Sequence, residues 1–138
     1  MLKEILSISG KPGLFKLVSQ GKNMLIVESL VDGKRIPAYS KDKVVSLGDI
    51  AIFTETAEVK LGIVLTALKT KENGAASGID AKADNDKLRN YMAEILPDYD
   101  KERVYPSDIR KLINWYNILI NSGITEFEEK EEVEEISK

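Results

Sequence analysis

The stretch IAIFTETAEVKLGIVLTAL, residues 50–68, decides the fold class because the spacing of its apolar residues changes within it. Before residue 57 the apolar residues come in short runs, which are typical of β-strands. After residue 59 they recur at the spacing of one helix face, as Leu61, Val64, Leu65 and Leu68. The change predicts an α+β protein with its strands first and its helices second.

The N-terminal side of this stretch holds short segments with β character, separated by turn residues. They are residues 14–18, 24–30, 35–39, 43–47 and 50–54. Gly21, Asn23 and Gly33 tolerate the backbone conformations of hairpin turns. Pro37 has no N–H to donate and restricts its segment to a sheet edge. Together the segments predict a five-stranded SH3-like β-barrel over residues 1–56, and an OB-type barrel, which also has five strands, is the alternative.

The C-terminal side holds three amphipathic segments and predicts a helical module over residues 57–124. The second segment follows N-cap candidates at residues 84–86, and its apolar face is Leu88, Tyr91, Met92 and Ile95. The third is predicted to begin at Ser107 as N-cap, just after Pro106, and to end before Gly123 as C′. Its core stripe is Ile109, Leu112, Ile113, Tyr116, Leu119 and Ile120. Residues 73–83, rich in Gly, Ala and Ser, predict a loop.

The composition is that of a folded, water-soluble protein. Hydrophobic residues make up 43% of the chain and charged residues 31%, which is far from the composition of disordered proteins. There is no cysteine, so disulfides are excluded, and no apolar run approaches the roughly 20 residues that span a bilayer. We therefore expect a cytoplasmic protein without membrane contact.

The charge of the chain is concentrated at its C-terminal end. Residues 125–138 hold seven glutamates against two lysines, whereas the net charge of the whole chain is only −3. This segment is predicted to be an acidic flexible tail. A sharper hypothesis is that the tail covers the basic turns of the barrel and competes with an anionic ligand.

No residue pattern in the chain indicates catalysis, a cofactor or a metal. The chain has no His and no Cys, so the commonest general base, thiol nucleophiles and the usual zinc ligands are missing. The alternating acids at 98, 100 and 102 resemble the start of a calcium loop, but Arg103 stands where the loop needs Gly and Ile109 where it needs Glu. We expect no catalytic residues, no cofactor and no metal, and therefore not an enzyme.

Three stretches carry a resemblance to a known family. They are ILSISGKPGLFKLVS at residues 5–19, VYPSDI at residues 104–109 and WYNIL at residues 115–119. The chain resembles an uncharacterised family of small Bacteroidetes proteins. That resemblance implies a bacterial protein with an N-terminal β domain joined to a helical domain, and it supplies no catalytic residues.

The third helix offers candidate interface residues. Trp115 and Ile118 lie off its core stripe and widen its apolar surface, and Tyr105 precedes its start. The first hypothesis is a non-catalytic binding or adaptor protein, with a protein partner or a second copy of the chain held by the barrel and the helical module.

Basic residues of the barrel offer a second candidate surface. They are Lys11, Lys16, Lys22, Lys34, Arg35, Lys41 and Lys43. Such residues near Phe15 and Tyr39 are typical of small barrels that bind nucleic acid. The alternative hypothesis is therefore an RNA-associated module that uses these lysines.

Overall fold

The computed structural model describes residues 2–11, 13–39, 42–80, 82–125 and 127, and it places strands before helices. The strands are β1 Ile5–Ile8, β2 Phe15–Gly21, β3 Met24–Ser29, β4 Arg35–Tyr39, β5 Val44–Ser46, β6 Ala51–Phe53 and β7 Glu58–Lys60. The helices are α1 Leu61–Lys71, α2 Asn85–Ile95 and α3 Pro106–Asn121. Short 3-10 turns at Leu2–Glu4 and Leu47–Asp49 precede β1 and β6. The α+β fold class is confirmed.

The N-terminal strands form an antiparallel five-stranded sheet in the order β4-β3-β2-β1-β5. The prediction that residues 50–54 supply its fifth strand is wrong, because β6 pairs with β7 in a separate hairpin. The missing strand is β1, in which Leu6 lies opposite Phe15 on one side and Ser46 on the other. Sequence patterning passes over β1 because it has only four residues and follows a 3-10 turn directly.

The hairpin turns of this sheet, and the edge position of the strand that contains Pro37, agree with the sequence predictions. Asn23 and Gly33 have positive φ angles of 63° and 75° at the two predicted hairpin turns. The strand that contains Pro37 lies at the sheet edge, where a missing N–H costs no ladder bond. A β-bulge between Leu17 and Ser19 bends β2. Among the described residues β4 and β5 are not paired, so the sheet is open.

The three helices lie where the spacing of apolar residues predicts them. Asp84 is the N-cap of α2, and its side chain accepts a hydrogen bond from the Lys87 N–H at 2.9 Å. The predicted cap of α3 at Ser107 is wrong, because Tyr105 is the N-cap and Pro106 is the first helical residue. Proline favours that position since its fixed φ is helical and its missing N–H would have no helical partner.

Two hydrophobic clusters lie on opposite faces of the five-stranded sheet. The larger one joins the buried faces of the three helices to sheet-side residues that include Leu2, Ile5, Leu14 and Leu47. The smaller one consists of Leu6, Ile8, Phe15, Val27 and Ala38. Neighbouring residues of β1 point to opposite faces, so this strand contributes to both clusters.

The loop between α1 and α2 is fastened to the helices by hydrogen bonds. Glu72 accepts bonds from the Tyr91 hydroxyl at 2.5 Å and from the Gly78 N–H at 2.9 Å. The Tyr116 hydroxyl donates to the Ala75 carbonyl at 2.5 Å. The loop is therefore a packed part of the helical module.

The ionisation of Glu72 reflects this arrangement. Partial burial raises its pKa, but the bonds donated by Tyr91 and Gly78 outweigh burial, so the pKa lies below its ordinary value. Burial and the bond to Glu72 raise the pKa of Tyr91 above its ordinary value. The ionised carboxylate and the neutral phenol are thus the forms that the fold stabilises.

The C-terminal end of the described chain packs along α1. Lys69 Nζ donates to the Thr125 carbonyl at 2.9 Å, and Phe127 is only 2% exposed. The Phe127 ring lies against Tyr116, with 6.3 Å between ring centroids, and its carbonyl lies against Gly62. The rest of the predicted acidic tail lies outside the described residues.

Candidate functional site

A groove runs beside α3, between that helix and the strands. It consists of two adjoining hollows of about 220 and 340 Å³ that share Lys111 and Trp115. We call it the Trp115 groove. Its lining residues are Ser7, Ile8, Ser9, Gly10, Lys11, Gly13, Ile50, Ala51, Ile52, Phe53, Leu61, Arg103, Val104, Asp108, Lys111, Leu112, Asn114, Trp115 and Ile118.

The helical repeat of α3 positions one side of the groove. Lys111, Trp115 and Ile118 are spaced by four and three residues, so they form a row beside the buried stripe. Trp115 and Ile118 are half-buried and pack against the main core. Part of the apolar surface that the sequence leaves off the core stripe is therefore buried against the core, and both side chains also line the groove.

The edge of β6 that faces away from β7 lines the other side of the groove. The Leu61 N–H donates to the Ile50 carbonyl, and the Thr54 N–H donates to the Ala57 carbonyl. The main-chain groups of the even-numbered residues between 50 and 54 therefore point toward β7. Main-chain groups of an antiparallel strand alternate in direction. The N–H and C=O of Ala51 and the N–H of Phe53 therefore point away from β7, on the side where Asp100 donates to the Phe53 carbonyl.

The rim of the groove is positively charged. Lys11, Arg103 and Lys111 line it together with one acid, Asp108, whose carboxylate accepts the Tyr105 N–H at 3.0 Å. Lys11 and Lys111 form no salt bridge with any other residue that the structure describes. The groove thus combines apolar side chains, two cationic side chains open to solvent and a strand edge that, among the described residues, is paired only at its C-terminal end.

Arg103 is held in place by its neighbours. Its Nε lies 2.9 Å from Asp100 Oδ2, and its guanidinium lies over the Phe53 ring at 4.9 Å from the centroid. The Glu102 N–H and the Arg103 side chain keep the pKa of Asp100 below its ordinary value. In the described residues no group of three or more candidate metal ligands is close enough to hold an ion.

The third predicted interface residue does not join the other two. Tyr105 is 59% exposed at the N-terminus of α3 and does not line the groove. Trp115 and Ile118, in contrast, lie within one hollow. Of the predicted contact patch, only Trp115 and Ile118 lie together in the groove, and their use by a partner stays a prediction.

The predicted basic surface is spread over the sheet. Lys16, Glu28 and Arg35 lie opposite one another across three strands, so an acid separates two of the cations, and Arg35 pairs with Glu28 at 3.1 Å. Lys22 lies in the β2–β3 turn, six residues beyond Lys16, which is about 20 Å along a strand.

The other residues of this predicted surface lie apart from that row. Lys34 directly precedes β4 and Lys43 directly precedes β5, and both are exposed. Lys11 belongs to the Trp115 groove. Lys41 lies outside the described residues.

A second concave surface lies between the two edges of the open sheet. This cleft has a volume of about 390 Å³, and its lining includes Leu25, Ala38 and Val44. On the β4 side the edge is closed to pairing, because Pro37 has no N–H and Asp42 occupies both main-chain groups of Tyr39.

Sequence reasoning missed several features of the groove. Lys111 lies one turn before Trp115, and a helical projection that follows the off-stripe row would include it. No sequence pattern marks Arg103 or the edge of β6 as part of a site. Their positions depend on how β6 and residues 98–104 pair in the folded chain.

Comparison with known proteins supports the two-part organisation. A family profile described as domain of unknown function DUF6852 matches residues 50–119, and one described as domain of unknown function DUF5606 matches residues 2–47. The chain belongs to the DUF6852 family. Its N-terminal part carries the DUF5606 domain, which corresponds to β1 to β5.

A solved structure extends the match to nearly the whole chain. The solution NMR structure of a structural genomics target from Bacteroides vulgatus is 62% identical, with a TM-score of 0.77. The match covers 92% of this DUF6852 chain and 91% of that chain. No curated protein matches the sequence. The resemblance to an uncharacterised Bacteroidetes family is confirmed. In the described part of the chain, no helix has the length and apolar character required to cross a membrane.

Proposed function

We propose that this chain is a non-catalytic binding protein that holds an extended, acidic segment of a partner protein in the Trp115 groove. One observation carries the proposal: Trp115 lines the same groove as Lys11, Lys111 and the edge of β6, where the N–H and C=O of Ala51 and the N–H of Phe53 have no main-chain partner among the described residues. An extended segment adds main-chain hydrogen bonds at a free strand edge, and its alternate side chains supply specificity.

The chemistry of the groove selects the partner. A segment paired with β6 bonds to Ala51 and to the Phe53 N–H, and it directs every second side chain toward the apolar floor. The intervening side chains meet Lys11 and Lys111, near Asp108 and near Arg103, which is already paired with Asp100. Carboxylates at those positions gain electrostatic attraction, whereas lysines are repelled.

The sole tryptophan of the chain reports directly on this site. We would titrate the protein with the peptide acetyl-Glu-Val-Glu-Val-Glu-Val-Glu-amide and follow Trp115 fluorescence. The expected result is a saturable change that weakens as salt is raised and is lost in Lys111→Glu. Lys87→Glu is the control, because it makes the same charge change on an exposed residue of α2 outside the groove.

Charge specificity decides the outcome of this titration. A peptide with lysines in place of the glutamates should not saturate the signal. An equal response to both peptides, or none to either, would refute the proposal.

The alternative, an RNA-associated module that uses sheet lysines, has weaker support. Glu28 separates Lys16 from Arg35, and Lys22 lies at a distant turn. Salt-sensitive binding to poly(U) that is lost in Lys22→Glu but retained in Lys111→Glu would favour it.

We also propose that the five-stranded sheet is an SH3-like barrel and that the protein is cytoplasmic. The bulge in β2 and the apolar cluster around Phe15 support a curved sheet. The absence of cysteine suits a reducing compartment. NOEs between β4 and β5 would support the closed barrel, and an exposed cleft between them in solution would count against it.

A further inference from the structure

We infer that the segment held in the Trp115 groove is the C-terminal end of the partner chain, which pairs in parallel with β6 and presents its terminal carboxylate to the Phe53 N–H and to Arg103. The inference rests on the proposed function, because it concerns the same edge of β6. It adds which part of the partner binds and in which direction the partner chain runs.

Residues 98–100 close the edge of β6 at Phe53. Tyr99 forms an antiparallel bridge with Thr54, and the Asp100 N–H donates to the Phe53 carbonyl at 2.9 Å. Asp100 then turns away from the edge, since its own carbonyl accepts two N–H groups from the turn that follows. A segment that lies along β6 therefore has to end, or leave the edge, at Phe53.

The main-chain groups that remain on this edge match a parallel chain end. They are two donors, the N–H groups of Ala51 and Phe53, and one acceptor, the Ala51 carbonyl, and none of them has a main-chain partner in the described part of the chain. In a parallel arrangement one partner residue accepts the Ala51 N–H. The partner residue two positions later donates its N–H to the Ala51 carbonyl and accepts the Phe53 N–H. If that residue is the last of its chain, its carboxylate takes the Phe53 N–H and no further partner N–H needs an acceptor.

An antiparallel segment fits the same edge less well. It exchanges both main-chain bonds with Ala51, and the partner residue two positions earlier presents its carbonyl and its N–H to Phe53. The carbonyl can accept the Phe53 N–H, but the partner N–H meets the Phe53 carbonyl, which already accepts a bond from Asp100. A donor that loses its partner on binding costs affinity, so the edge favours the parallel direction.

Arg103 supplies positive charge at the closed end of the edge. Its guanidinium lies over the Phe53 ring, 4.9 Å from the centroid, and its Nε lies 2.9 Å from Asp100 Oδ2. A guanidinium has five N–H donors, so the bond from Nε leaves others available. A terminal carboxylate can accept the Phe53 N–H with one oxygen and a charge-assisted bond from Arg103 with the other. A chain that arrived with its N-terminus at Phe53 would bring an ammonium group to the same cation.

Three peptides with the core Glu-Val-Glu-Val-Glu-Val-Glu distinguish the two directions. The first has an N-terminal acetyl group and a C-terminal amide, the second an acetyl group and a free C-terminal carboxylate, and the third a succinyl group and a C-terminal amide. The second and third have the same net charge, but their additional carboxylates lie at opposite ends. Titrations followed by Trp115 fluorescence should show that the second peptide binds about tenfold more tightly than the third.

Arg103→Gln tests which side chain recognises the carboxylate. The Arg103 side chain is 61% exposed, so its replacement should leave the fold intact. The tenfold preference should fall to about twofold in this variant, while the first peptide binds it as it binds the unchanged protein. Arg89→Gln is the matched control and should keep the full preference. Arg89 is an exposed arginine outside the groove that, like Arg103, pairs with an acid three residues earlier. A full preference that persists in Arg103→Gln would overturn the role of Arg103.

The outcomes separate this inference from the proposed function. Saturable binding of the first peptide, with equal affinities for the second and third, would overturn the inference while the proposed function stands. Tighter binding of the third peptide would overturn it in favour of an antiparallel segment. Tighter binding of the second peptide, together with equally strong binding of versions that carry lysine in place of glutamate, would support recognition of the chain end and reject the selection of acidic segments.

Discussion

Gly62→Ala tests whether the C-terminal segment is packed as the structure places it. A Cβ at residue 62 would lie 2.3 Å from the Phe127 carbonyl oxygen, closer than real Cβ contacts allow. The carbonyl would have to retreat by roughly an ångström to reach ordinary contact. The backbone of Gly62 does not have a positive φ, so alanine is tolerated at this position when Phe127 is absent.

The expected magnitude follows from two opposing terms. Displacing the buried Phe127 ring costs about 1.5–3 kcal/mol of hydrophobic burial. Replacing glycine by alanine in a helix returns about 0.4–1 kcal/mol by restricting the unfolded chain. We therefore expect Gly62→Ala to lower the free energy of unfolding of the full chain by about 1–2 kcal/mol.

Urea denaturation followed by circular dichroism measures this change, and a truncated chain reverses its sign. In a chain that ends at Glu126 the carbonyl is absent, so Gly62→Ala should stabilise by about 0.4–1 kcal/mol. Equal effects of Gly62→Ala in the full and truncated chains would refute the packing of Phe127 on α1.

The remaining predictions concern the buried tyrosines and Glu72. Tyr91→Phe removes a hydrogen bond to a partly exposed carboxylate and should cost about 1–2 kcal/mol in urea denaturation, whereas Tyr39→Phe, at an exposed position, should cost nothing measurable. Because the fold lowers the pKa of Glu72, its contribution is complete above pH 4.5 and is lost as pH falls below that value. Acid titration of unfolding should show a shallower loss in Tyr91→Phe, and an identical slope would contradict the assignment. Tyr99 is fully buried, and among the described residues its hydroxyl has no partner, so Tyr99→Phe should be neutral or stabilising by up to about 1 kcal/mol. A loss of about 1 kcal/mol or more would show that the hydroxyl is bonded.

The sequence predicts the helices well because their apolar faces repeat regularly. Leu88, Tyr91 and Met92 of α2 are buried as their spacing requires. The cap of α3 was missed because serine is a common N-cap, whereas here the proline before it takes the first helical position.

Features that depend on pairing between distant segments could not be predicted. The four residues of β1 are central only because β2 and β5 flank them, and β6 leaves the sheet because Val59 pairs with Ile52. Phe127 lies within an acidic stretch, and its burial depends on contacts with distant residues, among them Tyr116 and Gly62.

The candidate site, too, is partly predictable from the sequence and partly dependent on pairing between distant segments. Trp115 and Ile118 stand out on a helical projection, so the sequence identifies the helix side of the groove. The strand edge at Ala51, and the placement of Lys11 and Lys111 in the same hollow, depend on the folded chain. Local periodicity thus predicts which residues are apolar and off the core stripe, and tertiary pairing decides what they face.

Amide hydrogen exchange with the acidic peptide present tests the strand-edge proposal most directly. Binding along β6 should slow exchange of the Ala51 and Phe53 amides, whereas Ile52, whose N–H already faces β7, serves as the internal control. Protection of Ala51 and Phe53 that rises with peptide occupancy is the result we predict. Unchanged exchange at both amides, at a peptide concentration that saturates the Trp115 signal, would contradict it.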